Sequence, residues 1–303
     1  MTALQSPEPA AILNRMDLRR PFDSDSHFKD SPTPERLDPL LVGTVFAGGV
    51  RHFASIDSTS LAAMQAGQEG APSGSVWLAD EQTAGKGRAG HQWHSPAGTG
   101  LYLSALLRPR LSPAEVIILS LAAGLSVAAG VAEVTGLEAD LRWPNDVLFG
   151  ERKFCGILTE MNSEATRVRY VVVGMGLNVH QEAFPPDLAE IATSLRIETW
   201  RGFPRPDGSH LDRSQLAAAI LRALDIEHKT LEADPLAARE SILRRFETQS
   251  SYCRAAHVWV EEDGGYAGIT RGLDERGFLK VETATGMRTV LSGGVRKREK
   301  QNG

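Results

Sequence analysis

The sequence predicts a large α+β domain followed by a small β-barrel. At 303 residues the chain exceeds the length at which one hydrophobic core usually stops growing. Between Val50 and Ser251, β-rich segments alternate with helical ones, as in a mixed sheet covered by helices. Beyond Ser251, short strand-like segments follow at regular spacing and are joined by Gly and Asp turns. This second pattern is typical of a small barrel.

The predicted elements follow from these patterns in chain order. In the large domain, strands are predicted at 50–56, 74–79, 101–107, 140–143, 153–161 and 168–173. Helices are predicted at 58–65, at 112–135 and across 215–249, where Asp234-Pro235 marks a break. The barrel strands are predicted at 256–260, 264–271, 278–282 and 287–291.

Three parts of the chain are expected to differ in character. Residues 1–36 are rich in proline and charge and hold few large apolar groups, so they cannot bury enough surface to offset their ordering entropy. We expect a flexible tail or a loosely docked arm there, with no helix-turn-helix pattern for DNA binding. Residues 37–252 should form the large domain, and residues 253–303 the β-barrel.

Composition narrows the classes of partner and compartment. The formal net charge of −5 disfavours a bulk nucleic-acid binder, so any cationic site must be local. The 2 cysteines, Cys155 and Cys253, form neither a disulfide framework nor a zinc pattern and suit a reducing compartment. The N-terminus lacks the features of a secretory signal. We therefore expect a cytoplasmic protein that binds neither DNA nor membranes.

One uncharged stretch, Val116 to Ala132, approaches the length of a membrane-spanning helix. Its content is mostly small residues, however, and Glu115 and Glu133 bracket it. Ser112-Pro113-Ala114-Glu115 is a capping box with proline at the first helical position, which is a start signal for an ordinary helix. We expect a helix buried against the sheet.

A glycine-rich loop, Gln82 to Trp93, follows the second predicted strand. Three glycines and two cations lie within Gly85–Gly90, a combination that lets backbone N–H groups approach an anion. The segment spells GxGxxG, but no helix opens inside it, so a dinucleotide site is excluded. A P-loop is excluded as well, because no Ser or Thr follows Lys86. Taken alone, the loop also fits an ordinary surface turn.

Five ordered segments together resemble the biotin protein ligase family, over the chain from about Val50 to its end. The resemblance implies a class II aminoacyl-tRNA synthetase-like catalytic domain, with a mixed sheet and helices, and a small C-terminal β-barrel. It also implies a monofunctional ligase without a DNA-binding domain. The segments are Ile56-Asp-Ser-Thr59, the loop Gln82–Trp93, Arg142-Trp-Pro-Asn-Asp146, Arg152-Lys-Phe-Cys-Gly-Ile-Leu158 and Gly174-Met-Gly-Leu-Asn178.

The activity implied by this resemblance is biotin activation. Biotin and ATP would form biotinyl-5′-adenylate, and a lysine of a biotin carboxyl carrier protein would then receive the biotinyl group. The first step brings two anions together, and at ~4 Å each pair of unit charges repels by about 4 kcal/mol at an effective dielectric near 20. Fixed cations and Mg²⁺ are therefore expected, with ATP and biotin as the bound substrates.

Site residues are carried over by position from the matching segments. The implied catalytic residues are Lys153, Arg88 and Asp146. The implied biotin-binding residues are Ser58, Thr59, Ser60, Gln82, Lys86, Gly87, Arg88, Lys153 and Gly156. The implied ATP-binding residues are Gly85, Lys86, Arg88, Trp93, Asn145, Asn178 and Arg298. Of these, Arg298 lies outside the five segments, in a tail that matches the family poorly. No side-chain cluster predicts a metal site, although Asp146 is a candidate either for contacting Mg²⁺ or for positioning the incoming lysine.

Several of these residues also have ordinary structural interpretations. Ser58 and Thr59 stand where a helix N-cap belongs. Asn145 and Asp146 follow a proline in a turn, and Trp93 fits a core position nearly as well as a ligand contact. Lys86 stands where the family often has arginine. Because lysine is a point donor that cannot fork, we expect a looser hold on the adenylate.

Two rival functions share parts of this pattern. A lipoate or octanoate ligase or transferase has the same fold, and a transferase without ATP needs a thiol nucleophile, for which Cys155 is the candidate. A non-catalytic biotin sensor would not need the phosphate-facing cations Arg88 and Lys153. The sequence leaves the oligomeric state open, with a homodimer among the expectations.

Overall fold

A seven-stranded mixed sheet forms the centre of the large domain in the computed structural model, which describes residues 30–202 and 211–298. Its strands in chain order are β1 (Val50–Phe53), β2 (Val76–Ala79), β3 (Gly100–Leu107), β4 (Asp140–Arg142), β5 (Asp146–Phe149), β6 (Arg152–Ser163) and β7 (Val168–Asn178). The spatial order is β1-β2-β3-β7-β6-β5-β4. β1 and β2 are parallel, and the other neighbouring pairs are antiparallel.

Helices cover both faces of this sheet. They are α1 (Pro34–Leu37), α2 (Thr59–Gln68), α3 (Ile117–Thr135), α4 (Leu195–Gly202), α5 (Arg213–Ala233) and α6 (Pro235–Gln249). Alternate side chains of each strand point to opposite faces. Trp77 and Leu106 therefore pack with α2 in a small core, whereas Val76 and Leu107 belong to the main core beneath α3, α5 and α6.

Helix α3 is the uncharged stretch recognised in the sequence, and it lies in the main core. The capping box is present, because the Glu115 carboxylate accepts hydrogen bonds from both the backbone N–H and the hydroxyl of Ser112. Gly136 ends the helix at φ 74°, a left-handed conformation that favours glycine. Among the described residues, this helix alone is long and apolar enough to cross a membrane, and most of its side chains are buried inside the fold. Burial explains its composition.

The C-terminal unit is a five-stranded antiparallel sheet. Its strands are β8 (Arg254–Val260), β9 (Tyr266–Leu273), β10 (Leu279–Thr283), β11 (Gly286–Val290) and β12 (Val295–Lys297), in the spatial order β11-β10-β9-β8-β12. It is joined to the large domain by the Trp143 indole, whose Nε1 donates to the Gly277 carbonyl at 2.9 Å. The predicted combination of an α+β domain and a small C-terminal β domain is confirmed.

The first described residues are packed against the large domain. Ser31 is buried and donates to the Asp80 carboxylate at 2.9 and 3.0 Å. Arg36 donates to Asp212 at 2.5 Å, ahead of α5. Of the two alternatives expected from composition, a flexible tail or a docked arm, residues 30–36 correspond to the docked arm, because polar side chains there bond to partners on the large domain. Residues 1–29 lie outside the described part of the chain, and the exact domain boundaries stay a prediction.

Candidate active site

A small cavity lies between the start of α2, the glycine-rich loop and the strands β3, β6 and β7. Its volume is about 40 Å³. Two kinds of polar side chain line this cavity. One kind is neutral and carries hydroxyl or amide groups, and the other kind is cationic. The neutral groups are Thr59, Ser60, Gln82, Ser104 and Asn145, and the cations are Lys86, Arg88 and Lys153.

The neutral groups form a connected hydrogen-bond network. The Gln82 Oε1 atom accepts from the backbone N–H and the hydroxyl of Thr59 at 2.9 and 3.1 Å. The Ser104 hydroxyl lies 2.9 Å from that of Thr59 and 3.0 Å from that of Ser60. The Gln82 amide nitrogen donates to Ser95 at 3.1 Å. A neutral ligand with its own donors and acceptors would find fixed, directional partners here.

Ser58 has the structural role that the sequence also allowed. Its hydroxyl caps α2 by accepting from the Leu61 backbone N–H at 3.4 Å. It is not among the residues that line the cavity, whereas Thr59 and Ser60 are. The cap positions those two residues, because it fixes the first turn of the helix at the cavity wall.

Lys153 and Asp146 form an ion pair on the neighbouring strands β6 and β5. The Lys153 Nζ atom lies 2.6 Å from Asp146 Oδ1. Arg142 contacts the other oxygen, with Nη2 and Nε at 2.7 and 3.1 Å from Asp146 Oδ2. Burial on its own would raise the pKa of the Asp146 carboxyl, but the charges of Lys153 and Arg142 outweigh it and hold that pKa below its usual range. Asp146 is therefore ionised at neutral pH.

Arg88 reaches from the loop to the turn before β5. Its Nη1 donates to Asn145 Oδ1 at 3.1 Å. Asn145 is itself fixed, since its amide nitrogen donates to the Ile157 carbonyl at 2.8 Å and its own carbonyl accepts from the Ile157 N–H at 2.9 Å. Burial lowers the pKa of Arg88 although Asp146 opposes this shift. An arginine remains charged under such conditions, so the loop presents a fixed cation.

The loop itself folds back in a narrow turn. Gly87 N–H donates to the His91 carbonyl at 2.7 Å, and Trp93 N–H donates to the Gly85 carbonyl at 2.9 Å. At the tip, Ala89 and Gly90 have φ of 53° and 80°, a conformation that glycine adopts easily and alanine rarely. The segment Gly85–Gly90 thus forms a hairpin-like turn over β6 and β7. We call the longer segment that carries it, residues 81–99, the flap.

Trp93 lies on a pair of facing glycines in the cavity floor. Gly156 of β6 pairs with Gly176 of β7, and a Cβ atom at these positions would lie 2.9 and 2.5 Å from the indole ring. Only glycine leaves room for the indole there. The Lys153 Nζ atom is 5.2 Å from the ring centroid. The indole Nε1 is buried and has no hydrogen-bond partner within the described part of the chain.

A larger cavity of about 490 Å³ adjoins the first and extends to the C-terminal domain. Arg88, Trp93, Asn145 and Lys153 line both cavities. The larger one adds Arg142, Asp146, Asn178, Ile191, Glu261 and Arg296, together with other residues of the same segments. Its volume and its position beside the loop cations leave room for a molecule larger than the small cavity can hold.

Two ATP-site residues expected from the sequence have different outcomes. Asn178 lines the larger cavity, and its amide nitrogen donates to the Thr193 carbonyl at 3.0 Å. Arg298 lines neither cavity; its guanidinium lies 5.8 Å from the Trp259 ring centroid. Arg296 lines the larger cavity instead and pairs with Glu261 at 2.9 Å. The assignment of Arg298 depended on a poorly matching tail, and Arg298 lies one residue beyond the end of β12.

The described residues include no group of three or more His, Cys, Asp or Glu side chains placed to hold a metal ion. Asp146 is the carboxylate nearest the cationic groups, and cations contact both of its oxygens. A Mg²⁺ ion usually arrives with nucleotide phosphates and keeps several waters, so a complete protein cage is not required.

Cys155 does not have the properties of a nucleophile. It is fully buried in β6, and burial raises the pKa of its thiol far above neutrality. A thiol acts as a nucleophile through its thiolate. Cys155 is therefore a small core residue.

Sequence reasoning missed Ser104 and Gly176, which both line the small cavity. Ser104 joins Thr59 and Ser60 in the network, and its signal is a lone hydroxyl inside the apolar run of β3. Arg142 begins one of the segments singled out in the sequence, and the structure shows that it holds Asp146. Gly176 supports the Trp93 indole, and it could have been singled out because it is a glycine inside a buried strand.

Comparisons with known proteins agree with this architecture. Residues 52–178 match the Biotin/lipoate A/B protein ligase family, and residues 257–298 match the biotin protein ligase C terminal domain. The chain is 32% identical over 242 residues to the bifunctional ligase/repressor BirA of Bacillus spizizenii, covering 79% of this chain and 71% of that protein. It is 35% identical over 228 residues to a biotin--[acetyl-CoA-carboxylase] ligase of Mycobacterium tuberculosis, covering 73% and 77%.

A solved structure extends the likeness to three dimensions. The biotin protein ligase from Aquifex aeolicus in complex with biotin and ATP has a TM-score of 0.68 and 29% sequence identity. The match covers 83% of this chain and 99% of that one. It therefore includes both the large domain and the C-terminal sheet.

Proposed function

Because the chain belongs to the biotin protein ligase family, we propose that it activates biotin with ATP and transfers the biotinyl group to a carrier-protein lysine. The observation that supports this most directly is the mixed lining of the small cavity. Neutral hydrogen-bonding groups suit the uncharged ring of biotin, and three cations beside them suit its carboxylate and a phosphate.

In the first step, a carboxylate oxygen of biotin attacks the α-phosphorus of ATP. The P–O bond to pyrophosphate breaks, and biotinyl-5′-adenylate forms. Arg88 and Lys153 hold the two anionic reactants together, and Arg88 suits this task because its planar fork contacts two oxygens at once. Asn145 holds Arg88 and Asp146 holds Lys153 before substrates arrive. These two cations therefore need little reorganisation during the reaction.

Asp146 acts in this proposal as a positioning residue for Lys153. Asp146 holds the Lys153 ammonium at 2.6 Å and so fixes its position, while Arg142 holds the carboxylate from the other side. Mg²⁺ enters with ATP as the counter-ion of its phosphates.

In the second step, the neutral amine of a carrier lysine attacks the biotinyl carbonyl carbon. The C–O bond to AMP breaks, AMP leaves, and the amine loses a proton. We expect the acceptor lysine to belong to a biotin carboxyl carrier protein domain. The relative from Mycobacterium tuberculosis is named for such an acceptor, and the open side of the larger cavity gives an amine access to Lys153 and Asp146.

The rival transferase mechanism loses its support at Cys155, which is buried and protonated. A Cys155→Ser variant that keeps full, ATP-dependent activity would exclude a thiol route. Localisation in the cytoplasm, the lack of DNA binding and a homodimer stay predictions. Retardation of DNA by the purified chain would contradict the second of these.

Biotin-dependent exchange of labelled pyrophosphate into ATP tests the proposed function. The same assay with lipoate and with octanoate tests acid specificity. We expect exchange with biotin and none with the other two acids. Exchange with lipoate alone would instead indicate the lipoate branch of the family, and no exchange with any acid would indicate a sensor.

A further inference from the structure

The flap that carries Lys86, Arg88 and Trp93 is fixed at both of its ends by one buried arginine. Arg213, the first residue of α5, is 0% exposed. Its Nη1 atom donates to Asp80 Oδ1 at 3.0 Å and to the Gly100 carbonyl at 3.1 Å. Asp80 immediately precedes the flap, and Gly100 immediately follows it. One nitrogen thus bonds both ends of the segment.

The rest of the guanidinium is held by the first described residues. Its Nε donates to Asp30 Oδ1 at 2.9 Å, and Nη2 lies 3.3 Å from the Ser31 hydroxyl. Ser31 in turn donates to both oxygens of Asp80. An arginine is almost never fully buried unless it is paired, and here carboxylates of two separate segments pair with it.

Two histidines complete the cluster at its edges. His52 of β1 lies 2.9 Å from Asp80 Oδ2, and His180, just after β7, lies 2.8 Å from Asp30 Oδ2. The cluster therefore joins β1, the ends of β2 and β7, the start of β3 and α5. None of its six side chains lines either cavity. Because the cluster lies at the base of the flap and outside both cavities, it can position the flap but does not contact substrate.

We propose that Arg213 is a positioning residue that anchors both ends of the flap, so that Arg88 and Trp93 return to the same place over β6 and β7. Backbone hydrogen bonds also hold the two ends. Gly100 pairs with Asn178 of β7, and the Asp80 carbonyl accepts from the Gly98 N–H at 3.0 Å. Arg213 adds a charged side-chain donor that bonds both ends at once.

This inference rests on the proposed function, which gives the flap its role over the substrates. Its test does not require a measurement of enzyme activity. Lys86 is an exposed trypsin site within the flap, and Arg167 is an exposed trypsin site in the turn between β6 and β7. The ratio of the initial cleavage rates after Lys86 and after Arg167 reports flap motion separately from global unfolding. Mass spectrometry of the full chain distinguishes the two cuts.

The informative variants are Arg213→Lys and Ser31→Ala, with Arg245→Gln as the matched control. Arg245 donates from α6 to Glu227 of α5 at 2.7 Å through both Nη atoms, so its loss weakens the same helix without touching the flap. The single ammonium nitrogen of Arg213→Lys has three donors and cannot bond all four acceptors of the guanidinium, which are Asp80, Gly100, Asp30 and Ser31. We expect the Lys86-to-Arg167 ratio to rise about tenfold, as for loss of a charge-assisted hydrogen bond, and to stay unchanged in Arg245→Gln.

Ser31→Ala keeps the inference testable if Arg213→Lys does not fold, because it removes a hydroxyl that bridges Asp80 and Arg213 but leaves both charged groups in place. We expect a smaller rise of the same ratio. An unchanged ratio in the folded variants, or an equal rise in Arg245→Gln, would overturn the inference. Adding biotin and ATP forms a separate arm: failure of these substrates to protect Lys86 in the parent chain would contradict the proposed function, whereas the ligand-free ratios still decide the role of Arg213.

Discussion

The Lys153 ammonium lies 2.6 Å from an Asp146 carboxylate oxygen whose partner oxygen is held by Arg142 at 2.7 Å. The three residues stand on β4, β5 and β6, three neighbouring strands of one sheet. A cation fixed in this way faces the cavity without depending on a mobile loop. Arg88 supplies a second cation from the flap, so the proposed phosphate site has one rigid side and one side that can close.

Lys153→Gln removes the fixed cation and tests its catalytic role. We expect biotin-dependent pyrophosphate exchange to fall by about 10²–10³-fold, the effect of losing one preorganised group that stabilises transition-state charge. The control is Lys229→Gln, which breaks another Lys–Asp pair, at 2.7 Å from Asp225 and remote from both cavities. A Lys153→Gln variant as active as the parent would contradict the assignment.

Lys86→Arg tests whether the loop lysine limits the hold on the intermediate. Lys86 lines the small cavity and is exposed. An arginine there can fork to two oxygens, so we expect slower release of biotinyl-adenylate, by roughly tenfold for one added charge-assisted bond. Release is measured by dilution of preformed intermediate, with Lys280→Arg in the C-terminal sheet as the control. Equal rates of biotinyl-adenylate release from Lys86→Arg and from the parent would contradict this prediction.

Gly176→Ala tests the placement of Trp93 on the glycine pair. The added Cβ would lie 2.5 Å from the indole nitrogen, and overpacking of this kind costs about 1–3 kcal/mol of unfolding free energy. The cost should largely vanish in a Trp93→Ala background, because the clashing ring is then absent. Urea unfolding of the four proteins measures both values.

The matched control for that cycle is Gly124→Ala in α3. Its Cβ would meet no atom closer than 3.6 Å, and alanine is favoured over glycine in a helix by roughly 0.5–1 kcal/mol. We therefore expect no destabilisation. A Gly176→Ala cost that is equal with and without Trp93 would show that the indole does not rest on the glycine pair.

Asp30→Asn tests the contribution of the Arg213 cluster to acid stability. Burial opposes ionisation of Asp30, but hydrogen bonds from His180 and Arg213 prevail and lower its pKa from 3.8 to about 2. A lowered pKa stabilises the fold above the unfolded value, and this contribution is lost as the pH falls from near 4 towards 2. We expect the variant to be less stable at neutral pH and to lose less stability on acidification.

Urea unfolding at neutral pH and near pH 3 measures this difference. Asp187→Asn is the control, because Asp187 is exposed between β7 and α4. If Asp30→Asn loses as much unfolding free energy on acidification as the parent, the Asp30 carboxylate is not the source of the pH dependence.

The sequence predicted most of the elements that carry the site, for local reasons. The apolar run of β3, the capping box before α3 and the Asp234-Pro235 break between α5 and α6 are signals within a few residues. Two short strands and two short helices were missed: β5, β12, α1 and α4. β5 has four residues between two hairpin partners, so its pairing depends on tertiary context more than on periodicity.

The buried cluster around Arg213 could not be predicted from sequence. Its members come from five separate segments, and each reads alone as a polar surface residue. Asp30 lies in a stretch whose composition predicts disorder. Only the folded arrangement shows that Arg213 is fully buried and paired with two carboxylates.

A crystal structure with bound biotin and ATP, or with biotinyl-5′-adenylate, tests the central claim most directly. We predict that the flap closes on the ligand, with Arg88 and Lys153 both within hydrogen-bond distance of the phosphate or the biotinyl carboxyl oxygens. A bound ligand that Gly85–Gly90 does not contact, with neither Arg88 nor Lys153 within hydrogen-bond distance of its phosphate or biotinyl carboxyl oxygens, would contradict it.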